Sequence, residues 1–185
     1  MATVTAGMTM SLDGFVTDEH GSASSLWPDL ADLQGTDYMI AAIEQTGAVV
    51  MGRRAFEMGD PDAFVGNYEF QVPIFVLTHN PPAVAPKQDE HLTFTFVTDG
   101  VESAIEQAKA AAGESVVQVI GGASVVQQLL NAGLVDELHI DVMPVVLGGG
   151  LRLLENIDPG QFRLEKTGVV EAGVRTSLRF RVAQP

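Results

Sequence analysis

From Thr3 to Met10 small and apolar residues alternate with polar ones, the period of a first strand. Ser11-Leu12-Asp13-Gly14-Phe15-Val16 follows, then a loop rich in Asp, Gly and Ser to about Ser25. Thr36 is placed to cap a helix with apolar positions at Met39, Ile40 and Ile43, and Gly47 is its expected stop. The apolar run Ala48 to Met51 predicts a buried strand, and Gly52-Arg53-Arg54-Ala55-Phe56-Glu57 turns from it into a helix. Further strands are expected over Pro73–Leu77, Leu92–Val97 and Val116–Ile120, broken respectively by Thr78-His79-Asn80-Pro81-Pro82, a helix, and Gly121-Gly122. Asp99 and Glu102 have the spacing of a capping box for the helix that runs through Ile105 and Ala108 towards Gly113. A second helix is expected from Ser124 to Asn131.

Leu138, Ile140 and Val142 share one face of a sixth strand, opposite His139, Asp141 and Met143. Two strands follow Gly148-Gly149-Gly150, and the last alternates most clearly. Val174, Thr176, Leu178, Phe180 and Val182 interleave there with Arg175, Ser177, Arg179 and Arg181. Strands alternating with helices and a closing hairpin predict an α/β fold: a mostly parallel central sheet of about eight strands, an antiparallel C-terminal edge, and helices on both faces. No repeat, low-complexity tract or linker divides residues 1–185, so a single domain is expected.

Composition narrows the function. The 185 residues are 46% hydrophobic and 18% charged, ordinary for a globular chain. With no cysteine, disulfides, thiolate metal sites and cysteine nucleophiles are excluded. No leader-like or membrane-spanning apolar stretch is visible, so a cytoplasmic location is expected. A net charge of −14 argues against nucleic acid and anionic membranes as partners, because neutralising phosphates takes clustered Lys and Arg. The few cations are unevenly placed. Histidines aside, Arg53 and Arg54 are the only basic residues before Lys87. An exposed ion pair is the alternative explanation for that pair.

Two strand-to-helix junctions have phosphate-binding character. At Met51-Gly52-Arg53-Arg54 a glycine turn and a helix start meet two guanidiniums. At Gly121-Gly122-Ala123-Ser124 paired glycines expose backbone amides to an anion. Together they suggest a ligand with more than one phosphate, such as a dinucleotide. Neither a Gly-x-Gly-x-x-Gly fingerprint nor a P-loop is present, and no Gly-x-Ser-x-Gly elbow marks a hydrolase. His20, His79, His91 and His139 lack metal-ligand spacing, so no metal site is expected.

The ordered set Ser11-Leu12-Asp13-Gly14-Phe15, Met51-Gly52-Arg53-Arg54-Ala55-Phe56-Glu57, Val119-Ile120-Gly121-Gly122-Ala123-Ser124, Leu134-Val135-Asp136-Glu137-Leu138 and Gly148-Gly149-Gly150 resembles the dihydrofolate reductase-like superfamily. More narrowly, it resembles the C-terminal reductase domain of the bifunctional riboflavin biosynthesis deaminase-reductase and its stand-alone relatives. The resemblance implies an eight-stranded sheet, NADPH as hydride donor, a small pterin-, pyrimidine- or similar ring-containing substrate, and a homodimer. It puts Gly52, Arg53 and Arg54 at the cofactor phosphates, with one arginine on the 2′-phosphate. Thr78, His79 and Asn80 would lie near the adenosine ribose, and Gly121, Gly122, Ala123 and Ser124 around the pyrophosphate. Asp13 would border nicotinamide and substrate. The acid that holds a pteridine in dihydrofolate reductases has a loose echo in Trp27-Pro28-Asp29-Leu30-Ala31-Asp32, where Asp32 is the first candidate and Asp29 the second. Both Asp13 and Asp32 also have structural readings, as a turn former and a helix cap. The zinc signatures of the deaminase half and the further substrate-phosphate motifs after the first helix are missing. A flavin or deazaflavin oxidoreductase and a non-catalytic nucleotide-binding dimer are the alternatives.

Overall fold

The structure is a computed structural model that describes residues 2–184. Its centre is an eight-stranded sheet built from β1 (Val4–Ser11), β3 (Thr46–Gly52), β4 (Ile74–Leu77), β5 (Phe94–Val97), β6 (Val116–Ile120), β7 (Glu137–Met143), β9 (Arg163–Ala172) and β10 (Arg175–Ala183). The strand order is β5-β4-β3-β6-β1-β7-β10-β9. The pairs from β5 to β7 are parallel, and β10 runs antiparallel to both β7 and β9. The expected mostly parallel sheet with an antiparallel C-terminal edge is present. Two short strands absent from the sequence reading, β2 (Phe15–Thr17) and β8 (Leu151–Arg152), form a separate ribbon.

Helices α1 (Leu30–Leu33), α2 (Asp37–Gln45), α3 (Arg53–Phe56), α4 (Val101–Ala112) and α5 (Ala123–Asn131) complete the fold. On β3 the strand period divides the core. Ala48 and Val50 join one cluster with Ala104, Ile105, Val126 and Leu129 of α4 and α5, while Val49 and Met51 join a second with Phe56, Phe70 and Phe94. Met39 and Ile43 of α2 pack against the second cluster.

Beyond β3 that second face changes character. On β1 it carries Thr5 and Thr9, both buried, and on β7 it carries Glu137, His139 and Asp141. Residues of α2 stand over this polar half, and none of them is fully buried.

Two local expectations are corrected. Helix α2 is capped by Thr36, whose hydroxyl accepts the Met39 N–H at 3.3 Å, but it ends at Gln45 and passes directly into β3. Gly47 is therefore a strand residue, and a Cβ there would press on Ser115 and the Ala112 backbone. Helix α4 starts after Gly100, whose φ of 115° turns the chain, so Asp99 forms no capping box. On the last strand the buried row over the first half is the polar one. Arg175 and Ser177 are buried, and Val174 is 58% exposed. The physical reason lies across the sheet, where carboxylates wait for Arg175.

Candidate active-site cleft

A cleft of about 2040 Å³ opens at the C-terminal ends of the parallel strands and runs on beneath α2. Single small-ligand pockets hold roughly 300–1,000 Å³, so this one has room for two ligands side by side. Open α/β sheets bind ligands where strand order reverses, outside the carboxyl ends of the strands. Here the chain steps outward from β3 through β4 to β5, then returns to insert β6 between β3 and β1. The ends of β3 and β6 meet at that reversal.

The junction is built on glycine. The Gly52 N–H donates to the Gly121 carbonyl at 3.4 Å, drawing the two turns together. Gly121 and Gly122 both have positive φ, at 81° and 83°, a conformation that L side chains resist. A Cβ on Gly121 would sit 2.6 Å from that of Ala55. Gly122 precedes α5, and no side chain caps that helix, so its first amides remain open to the cleft beside Ala123 and Ser124. This cradle suits a phosphate.

All ten residues expected at a cofactor line this one cleft: Gly52, Arg53, Arg54, Thr78, His79, Asn80, Gly121, Gly122, Ala123 and Ser124. Arg53 is partly committed, since its Nε donates to Glu57 at 2.7 Å and its Nη1 to the Asn80 carbonyl at 3.4 Å. Arg54 is exposed and makes no ion pair among the described residues. Thr78 and Asn80 close a tight turn, with the Asn80 N–H on the Thr78 hydroxyl at 3.1 Å.

The two expected acids lie elsewhere. Asp32 is exposed on α1 and is not part of the cleft wall. Asp13 accepts the backbone N–H groups of Leu147 at 3.1 Å and Gly148 at 2.8 Å, which ties the first loop to the glycine-rich turn after β7. The Ser11 hydroxyl beside it, with those two amides, holds its carboxyl down at about 2. Such a group stays ionised and acts as a clamp.

The centre of charge is Arg175, which was not among the expected site residues. Arg175 is the largest fully buried side chain of the described residues. It donates to Asp29 from Nε at 2.9 Å and Nη2 at 2.5 Å, and from Nη1 to Asp141 at 3.2 Å and Thr9 at 3.3 Å. Its guanidinium lies 4.9 Å from the Trp27 ring centre. The Arg175 hydrogen bonds hold Asp29 below the usual carboxylate range. Burial alone would lower the Arg175 pKa, but its two carboxylates outweigh that and raise it.

From this hub Asp141 reaches Tyr38 of α2, whose hydroxyl donates to it at 3.1 Å. Burial, followed by the Asp141 charge, pushes the Tyr38 pKa up, so the phenol keeps its proton. His139 is held neutral, chiefly by burial and then by the Arg179 charge. The signal for these residues was present in the two polar faces of β7 and β10. It is the register, with Ser177 opposite Asp141 and Arg179 opposite His139, that makes them one cluster. Among the described residues no group of His, Asp and Glu is arranged to hold a metal ion, and no helix is long and apolar enough to cross a membrane.

The profile of the RibD C-terminal domain matches residues 2–178. The chain belongs to that family. YwjB, an uncharacterised protein of Bacillus subtilis strain 168, is 27% identical over 173 residues, covering 94% of each chain. Among solved structures, one from Shewanella sp. PV-4 assigned to riboflavin biosynthesis superposes with a TM-score of 0.77 at 22% identity, each chain fully covered. A dihydrofolate reductase from Enterococcus faecalis, complexed with NADP(H) and RAB-propyl, superposes with a TM-score of 0.58 at 19% identity over 97% of this chain and 96% of its own. The RibD-type chain therefore has a dihydrofolate reductase-like fold.

Proposed function

We propose that this RibD-type chain is an NADPH-dependent reductase that delivers hydride to a small pterin-, pyrimidine- or similar ring-containing substrate. The observation that carries the reading is the glycine cradle at the switch point, with an uncommitted Arg54 beside it and room for a second ligand in the same cleft. The residues present fit a dinucleotide. The open amides of Gly122, Ala123 and Ser124 would hold the pyrophosphate. Arg54, helped by Arg53, would hold the 2′-phosphate, and Thr78, His79 and Asn80 would flank the adenosine ribose.

When bound, the nicotinamide supplies the hydride, and the protein supplies position and electrostatics. On the substrate side, Tyr38 and His139 offer neutral hydrogen-bonding groups to a ring, and Asp141 orients Tyr38. Arg175 fixes Asp141 and Asp29 as a positioning residue. In this reading the acid role expected of Asp13 or Asp32 passes to the Tyr38–Asp141 pair. The homodimer implied by the family likeness is part of the same proposal.

The test is oxidation of NADPH, followed by the absorbance of the reduced nicotinamide, with a panel of pterins and pyrimidine-diones. The visible spectrum of the freshly purified protein is recorded alongside. Turnover with one class supports the reading. No oxidation across the panel, or a yellow protein with a tricyclic spectrum, overturns it in favour of a binding role or a flavin-type cofactor.

A further inference from the structure

Beyond the strand ends the cleft continues under α2 along the sheet face, as far as Thr3, Val116 and Gln45. Register sets the floor of this deep compartment in rows. Thr5 pairs with Gln118 on one side and Glu137 on the other; in the next row Gly7 pairs with His139, and His139 with Arg179. Gly7 keeps the centre of the floor free of a side chain. A Cβ there would lie 2.6 Å from Gln118 Nε2, so the Gln118 amide extends over the bare backbone.

Arg179 is unlike its neighbour Arg175. The Arg175 charge is answered by two carboxylates, whereas Arg179 makes no ion pair among the described residues. Its guanidinium lies 5.4 Å from the centre of the Tyr38 ring, and its enclosed Nε has no hydrogen-bond partner. An enclosed donor without an acceptor is unfavourable. The Arg179 side chain lines the compartment, so an anion entering it would meet a cation that no carboxylate answers. His139, across the strand pair, is engaged with Glu137 at 3.2 Å and leaves Arg179 as the free cation of the floor.

We propose that this deep compartment is a carboxylate subsite, in which Arg179 pairs with a planar monoanion and the Gln118 amide supplies a second donor. Guanidinium and carboxylate match as two flat forks, a geometry a tetrahedral phosphate shares less well. Charge points the same way. Glu137 already stands on His139, and Asp29 and Asp141 on Arg175, so a dianion would add two negative charges to a region already holding three carboxylates while a carboxylate adds one. The inference rests on the proposed reading that this end of the cleft takes substrate, but it requires no bound nicotinamide.

The experiment is ligand-observed NMR on the full chain with benzoate, benzamide and phenyl phosphate, in the parent protein, Arg179→Gln and Glu137→Gln. Thermal melting checks that each variant is folded. Benzoate is expected to bind at least about fivefold tighter than either analogue, and Arg179→Gln to weaken it about tenfold, the size of one charge-assisted hydrogen bond. Glu137→Gln, which leaves Arg179 intact, is expected to bring phenyl phosphate to within about twofold of benzoate by removing one like charge. Equal binding of benzoate and benzamide, preference for phenyl phosphate, an unaffected Arg179→Gln, or no benzoate binding at about 10 mM overturns the subsite. NADPH titration of the same proteins separates the two claims. Loss of benzoate with NADPH affinity retained supports the subsite, and failure of the parent protein to bind NADPH removes the reductase reading while the benzoate result still decides the subsite.

Discussion

Replacing Arg175 by Met tests how the cleft is held together. The Arg175 side chain has no exposed surface, and the side chains of Asp29 and Asp141 are each only 12% exposed. The substitution removes four hydrogen bonds and leaves two carboxylates facing each other with little access to water. Methionine fills part of the guanidinium's volume, so the loss is mainly electrostatic. Removing one partner of a buried ion pair costs about 3–5 kcal/mol, and the second carboxylate puts Arg175→Met at the upper end of that range. For a chain of this size that is a fall in melting temperature of roughly 6–20 °C.

Urea unfolding followed by Trp27 fluorescence measures it, because the single tryptophan lies against Arg175. The pH dependence supplies an internal check. In the parent protein Asp29 has a lowered pKa, so its contribution is complete above the unfolded value near 3.8 and is lost as pH falls through the folded one. In Arg175→Met the stranded carboxylates prefer the protonated form, so the variant gains stability on acidification. The two stability curves should converge below about pH 4. A loss under about 1 kcal/mol at pH 7, or parallel curves, would refute the hub.

Other outcomes follow from the same structure. Gly121→Ala forces a side chain into positive φ and onto Ala55, and should cost about 2–4 kcal/mol in chemical denaturation. Asp13→Asn should lower the melting temperature at neutral pH; because the folded pKa is about 2 and the unfolded one about 3.8, the difference should shrink as pH falls between those values and vanish below them. Thr36→Ala removes the α2 cap and should cost about 1 kcal/mol, read by urea unfolding.

The residues of the glycine junction were legible in the chain because their signals are local. A glycine after a strand, an arginine pair beside it and a second glycine pair each announce a turn into a helix, and the fold had only to bring the turns together. The charged cluster around Arg175 is settled by long-range partners. Asp29 precedes the short helix α1 and Asp32 lies within it, exposed, and what distinguishes them is Arg175, 146 residues from Asp29. Without that partner, Asp32 ranks ahead of Asp29. The last strand has the same lesson in reverse. Its alternation was plain, but a row of Arg and Ser reads as a solvent face unless the facing carboxylates are known. Gly100 displaced the Asp99 cap because a positive φ there starts α4 without a side-chain acceptor.

The most direct test of the central claim is calorimetric titration of cofactor-stripped protein with NADPH and NADH, in the parent and in Arg54→Ala. The account predicts NADPH tighter than NADH by about 10- to 100-fold, the range of one or two charge-assisted hydrogen bonds to the 2′-phosphate, with most of that preference lost in Arg54→Ala. Equal affinities in the parent protein, or no binding of either nucleotide, would contradict it.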